Sequence, residues 1–278
     1  MHTLEFTLFV ALGSLLAGFL GSLTGLGGGV VIVPLLTLVF GIDIRYAIGA
    51  ALVSVIATSS GAAAAYVREG FSNVRVAMFL EIATTIGALV GAAVALHLHA
   101  NIIAVIFGLV LIYSAVLSFR QHSRSADALA PDRIASWLRM DSSYPTAKGP
   151  EKYHVRGVPF GFALMFVAGV LSGLLGIGSG AVKVLAMDKA MKLPFKVSTT
   201  TSNFMIGVTA AASAGIYLSR GYIDPGLAMP VMLGVLGGSL LGARLLAGAA
   251  VKPLRIVFSV VIAALAVEMI YSGLTGKI

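Results

Sequence analysis

Gly25-Leu26-Gly27-Gly28-Gly29 and Gly176-Ile177-Gly178-Ser179-Gly180 interrupt two otherwise apolar runs, and they start 151 residues apart. Glycine adopts backbone conformations closed to other residues and lets chains approach closely. A helix broken inside a bilayer leaves amides and carbonyls that lipid cannot satisfy, so the break must face protein or water. Paired breaks at matching positions of two halves point to a transporter's binding site.

The offset persists without a gap. Gly18 falls on Gly169, Tyr66 on Tyr217, Gly70 on Gly221, Gly87 on Gly238, Gly91 on Gly242 and Arg45 on Lys196. This register marks a duplication, with a first repeat at 1–119, a linker at 120–157 and a second repeat at 158–278.

The composition is that of a membrane protein. Mean hydropathy is +1.00, and only 11% of the 278 residues are charged, against about 25% in an ordinary soluble domain. No Asp, Glu, Lys or Arg occurs from Phe6 to Ile42, from Tyr46 to Val67, or from Ile82 to Phe119. Runs of about 20 apolar residues cross a bilayer. The start of the chain lacks a basic region and carries Glu5, unlike a signal peptide. A net charge of +8 could suggest nucleic acid, but the basic residues sit between apolar runs, where they set orientation. The absence of cysteine excludes disulfides and thiolate metal sites.

Segments 28–40 and 179–191 are too short to span at about 1.5 Å per residue, so they read as half-helices of re-entrant hairpins. With each break a hairpin, 15 Lys and Arg fall on one side and 3 on the other; with each break inside a crossing helix the split is 11 to 7. The positive-inside rule selects the hairpin. The expected fold is therefore an all-α polytopic membrane protein of two inverted repeats, each a re-entrant hairpin plus three transmembrane helices. Both termini would lie outside and the linker in the cytoplasm. Within the linker, Pro131 to Met140 carries Ile134, Trp137, Leu138 and Met140 among arginines and reads as a short interfacial helix or a plain connection.

Several motifs carry candidate chemistry. Gly176-Ile-Gly178-Ser-Gly180-Ala181 has the letters of a dinucleotide fingerprint but lacks its strand context. The half-helix starts would instead offer amides and a positive dipole end to an anion. The glycines at 87 and 91, and at 234, 238 and 242, read as helix-packing residues. Lys183 is an unusual intramembrane cation, expected to point back at the glycine turn. It would bind or gate an anion, or pair internally with Asp188 or Glu81. Thr200-Thr201-Ser202-Asn203 could contact a ligand or bond helix to helix. Glu81 could bind a coupling proton, balance Lys183, or pair with Arg75 or Arg68. His97 and His99 read as interfacial residues, and no set of catalytic acids, bases or metal ligands is evident, so no enzyme and no cofactor is expected.

Gly18-x-x-Gly21-x-x-x-Gly25-x-Gly27-Gly28-Gly29 followed by Pro34, with its second copy after Gly169, resembles the TauE/SafE family of sulfite exporters. The stretch Gly176 to Asp188 and the run Lys196-Val-Ser-Thr-Thr-Thr-Ser-Asn203-Phe-Met resemble one branch of it. Two departures stand out: Ser179 replaces a glycine, and Leu185 replaces the proline matching Pro34. The resemblance implies an inner-membrane transporter of a small sulfur-containing or organic anion, such as sulfite or sulfoacetate, working outwards by alternating access. An importer, a channel and a membrane-embedded enzyme are the alternatives. The expected substrate contacts are Thr24, Gly25, Gly27, Gly28, Gly29, Gly176, Gly178, Ser179, Gly180, Lys183, Thr200, Thr201, Ser202 and Asn203, with Glu81 for proton coupling. The partners would be the anion, the bilayer and, compatibly, further copies of the chain.

Overall fold

Apolar runs without charge have no alternative to helix in a bilayer, and helices dominate the computed structural model. It describes residues 3–22, 29–68, 70–119, 132–146, 149–246 and 251–278. The first half contains α1 (Thr3–Ser22), α2 (Gly29–Pro34), a π-helical turn (Leu35–Val39), α3 (Ile44–Arg68), α4 (Val74–Ala95) and α5 (Ala100–Phe119). The second half repeats that order as α7 (Val158–Leu175), α8 (Gly180–Leu185), a π-helical turn (Ala186–Ala190), α9 (Phe195–Ser219), α10 (Pro225–Leu246) and α11 (Val251–Thr275). Even the lengths recur: α3 and α9 have 25 residues, α4 and α10 have 22. Asn73 caps α4 by accepting from the Val76 amide, and Asp224, 151 positions on, accepts from the Gly226 amide at the start of α10.

The halves interlock. α1 packs on α10, α4 on α7, α3 on α9 and α5 on α11. Glycines set the first two contacts. A β-carbon at Gly169 would collide with the Thr84 carbonyl, one at Gly173 with that of Ala88, and one at Gly91 with that of Val170. Gly234 and Gly238 meet Ala11 and Leu15 of α1 in the same way. This is the small-residue packing expected of Gly87, Gly91, Gly234 and Gly238. The registers show α4 running parallel to α7, and α1 to α10. Gly108 meets Ala266 and Ile270 while Gly273 meets Asn101 and Val105, so α5 and α11 run antiparallel. Gly49 meets Tyr222 while Gly207 meets Ser59, so α3 and α9 do too.

Val74–Ala95, Val158–Leu175 and Pro225–Gly242 are long and apolar enough to cross a membrane. The outer face exposes large apolar side chains, among them Leu8, Met78, Ile82, Leu109, Phe160 and Leu233. So continuous an apolar exterior matches lipid rather than water.

The linker folds further than expected. After α6 (Arg133–Trp137) comes a hairpin of β1 (Ser142–Thr146) and β2 (Gly149–Tyr153), with Ser142 opposite Tyr153. Ala135, Met140, Tyr153 and Val155 join Val76, Ala77, Leu80, Met187 and Met191 in one buried cluster. Residues 132–155 are thus docked on the ends of the helices, not a plain connection.

Candidate functional site

The second glycine break reverses the chain between α7 and α8. Gly176, Gly178 and Ser179 take positive φ angles of 68°, 72° and 47°, a conformation free for glycine and costly for serine. The Gly176 amide closes α7 on the Ser172 carbonyl at 2.8 Å. Ile206 of α9 fixes the turn from one side: a β-carbon at Gly178 would lie 2.8 Å from its Cγ2. Val55, the first-repeat equivalent of Ile206, lies on the other side.

The edge of the first break meets the second. A β-carbon at Gly29 would lie 3.1 Å from the Gly176 carbonyl oxygen and 3.6 Å from the Ile177 Cα. Thr24, Gly25, Gly27 and Gly28 lie outside the described residues, so Gly29 alone represents the first-copy motif.

Lys183 sits on α8 with no solvent exposure. Its Nζ donates to Thr209 Oγ1 at 2.6 Å. That hydroxyl, also fully buried, lies 2.7 Å from Glu81 Oε1 and 2.9 Å from the Met205 carbonyl. Thr85 donates to the same Glu81 oxygen at 3.2 Å. Glu81 Oε2 is buried and has no hydrogen-bond partner among the described residues. A hydroxyl has one proton and two acceptor lone pairs. Thr209 can therefore accept from the lysine ammonium while donating to the carboxylate. The result is a charge pair bridged by one hydroxyl, with Glu81 from the first repeat and Lys183 and Thr209 from the second.

This arrangement decides between the partners open to each charge. Asp188 is held by Lys189 at 2.9 Å and leaves Lys183 to Glu81. Arg75 donates to the Arg139 carbonyl at 2.9 Å, and Glu81 bonds to Thr209 and Thr85 instead; the Arg68 side chain lies outside the described residues. The duplicated positions are apolar: Ile32 stands where Lys183 does, and Met232 where Glu81 does. Only Thr209 has a like twin, Thr58, whose hydroxyl bonds back to Ser54 at 3.0 Å. Among the described residues, the buried hydroxyls of Ser172, Ser179 and Ser198 also have no partner. Ser172 and Ser179 belong to the turn and its approach.

The structure gathers Gly29, Gly176, Gly178, Ser179 and Gly180, with Lys183 on the same half-helix and Ser202 donating to the Gly180 carbonyl at 3.3 Å. It engages Thr200 and Thr201 elsewhere. Thr200 donates to the Phe71 carbonyl at 2.9 Å, and the Thr201 hydroxyl accepts from the Asn73 amide at 3.0 Å. Both hold the α3–α4 loop. Asn203 is half-buried. Asn73 also donates to the Met140 carbonyl and the Tyr153 hydroxyl, each at 2.8 Å, joining loop, linker and α9. Burial pushes the Tyr153 phenol above its ordinary range. Sequence reading missed Thr209 and Asn73. The 151-residue offset pairs Thr209 with Thr58, but a threonine within a helix commonly bonds its own backbone and gives no further signal.

Comparison with known proteins gives one consistent answer. The family described as sulfite exporter TauE/SafE matches residues 10–269. Probable membrane transporter protein YunE of Bacillus subtilis is 29% identical, over 98% of this chain and 99% of its own length. Probable membrane transporter protein YjnA of the same organism is 30% identical over 91% and 95% of the two chains. Probable membrane transporter protein MJ0441 of Methanocaldococcus jannaschii is 26% identical over 92% of each. No solved structure matches at a significant level.

Proposed function

Since the chain belongs to the sulfite exporter TauE/SafE family, and is a multi-pass membrane transport protein, we propose that it moves a small anion through the membrane by exchange of Lys183's counter-ion. Sulfite, sulfoacetate and related sulfur-containing or organic anions are the substrate class. The observation that carries the reading is the fully buried Lys183, bridged by Thr209 to a Glu81 with one carboxylate oxygen unpartnered.

In the resting protein Glu81 balances Lys183. An incoming anion docks on the Gly176–Gly180 turn, with Gly29 and the Ser179 hydroxyl beside it; Thr24, Gly25, Gly27 and Gly28 are the further contacts proposed from the sequence. The anion takes over the lysine ammonium. Glu81 is then an uncompensated buried carboxylate, which costs several kcal/mol, and burial favours its neutral form. It takes up a proton. Anion and proton travel together, so a monoanion such as hydrogen sulfite crosses with no net charge and a dianion such as sulfoacetate with one negative charge, and an anion produced inside leaves down its own gradient. Ser202 steadies the turn. Thr200 and Thr201 tie the α3–α4 loop to α9, and Asn203 supplies an amide for contact as the site opens.

Two inverted repeats rock against each other to expose the site alternately. The antiparallel pairing of α3 with α9 and of α5 with α11 supports the inversion, because each helix meets its own repeat equivalent running the other way. The charge bias supports a linker in the cytoplasm and both termini outside the inner membrane.

The test is flux of labelled sulfite, sulfoacetate and a small carboxylate into liposomes carrying the protein or its Lys183→Ala variant. Saturable flux of one anion, at least tenfold weaker in the variant, is expected. Undiminished flux in the variant removes Lys183 from the site, and no flux of any anion removes the function.

A further inference from the structure

The strongest unassigned feature outside the transport site is the outward face of α6. Ala135 and Met140 turn into the buried cluster with Val76, Ala77 and Leu80. Ile134 and Trp137, three residues apart and so on one helical face, turn out, and Trp137 is 82% exposed. Arg133, Arg139 and Lys152 are exposed around them. An exposed tryptophan between arginines is the composition of a headgroup-level anchor.

Position fixes the occupant. Arg75 holds the Arg139 carbonyl and Asn73 the Met140 carbonyl, so α6 lies against the first turn of α4. From that turn Val74, Met78, Ile82 and Ile86 run outwards as an exposed apolar strip. The strip is lipid-facing by the membrane character of α4. Ile134 and Trp137 are exposed on the helix that meets this end of α4, where Arg75 and Arg139 also lie. We propose that α6 is an interfacial anchor: Ile134 and Trp137 insert among lipid headgroups, and Arg133, Arg139 and Lys152 select acidic phospholipids. The inference is independent of the substrate.

The chain provides its own probe, because Trp137 is its only tryptophan. The full-length protein is reconstituted in bilayers containing phosphatidylglycerol or phosphatidylcholine brominated high on the acyl chain. Tryptophan fluorescence is recorded with and without aqueous iodide. The expected result is emission blue-shifted from aqueous tryptophan, weak quenching by iodide, and stronger quenching by brominated phosphatidylglycerol than by brominated phosphatidylcholine. Arg133→Gln should reduce that lipid preference about fivefold, the worth of one basic residue at an acidic membrane surface. Emission as in water with strong iodide quenching would overturn the anchor. So would protection from both iodide and bromine, which would mean that protein covers Trp137. Equal quenching by both lipids would overturn the acidic-lipid selection.

Discussion

At the scale of the residue, Lys183, Thr209 and Glu81 form one unit. The low dielectric around them makes each charge costly alone and tolerable together. Removing one partner of a buried pair costs about 3–5 kcal/mol, while removing both leaves no orphaned charge. Lys183→Met alone should therefore lower stability by about that amount, as should Glu81→Leu. The double variant should lose far less than the sum, with a coupling of about 1–3 kcal/mol. Unfolding in detergent micelles measures this cycle, and additive losses would mean that the two charges do not interact. Lys183 was legible in the sequence as an isolated cation in an apolar segment. Its partner was not, because Asp188 on the same half-helix and Glu81 on a distant helix were equally admissible. Only packing of α4 on α9 brings Glu81 within reach of Thr209.

At the scale of the element, glycines decide how closely helices approach. Gly173 faces the Ala88 backbone, whereas Gly237 has nothing within 4 Å of an added β-carbon. Gly173→Ala should thus destabilise by about 1–3 kcal/mol through overpacking. Gly237→Ala should be neutral or stabilise by up to about 1 kcal/mol, because alanine favours helix. Thermal unfolding of both variants in the same detergent checks the contrast. The two half-helices were readable because each break is glycine-rich and each following run too short to span. The hairpin of β1 and β2 was not. Its strands contain Pro145 and Pro150 and alternate no apolar residues, and Pro145 stands opposite Pro150 in the register. What holds the hairpin is the burial of Tyr153 and its bond to Asn73, neither visible in a local pattern. For the same reason the polar run at 198–203 suggested a ligand path, yet Thr200 and Thr201 are spent on the α3–α4 loop.

At the scale of the whole molecule, duplication builds a near-symmetric frame and the charges break it. The helix order, caps and glycine contacts of one half return in the other, but Lys183 and Glu81 have Ile32 and Met232 as counterparts. The frame can offer two equivalent positions, and only one holds a cation and a carboxylate. That asymmetry underlies the proposed transport of one anion with one proton per cycle. The recurring order of helices was legible because it rests on register. The interlocking of the halves was not, since no single segment records which helix of the other repeat it packs against.

The most direct measurement is simultaneous recording of sulfite or sulfoacetate flux and internal pH in liposomes carrying the protein. The account predicts that each transported anion is accompanied by one proton, that an imposed membrane potential leaves the flux of hydrogen sulfite unchanged, and that Glu81→Gln abolishes the proton movement. Anion flux without proton movement, or hydrogen sulfite flux driven by the potential, would contradict it.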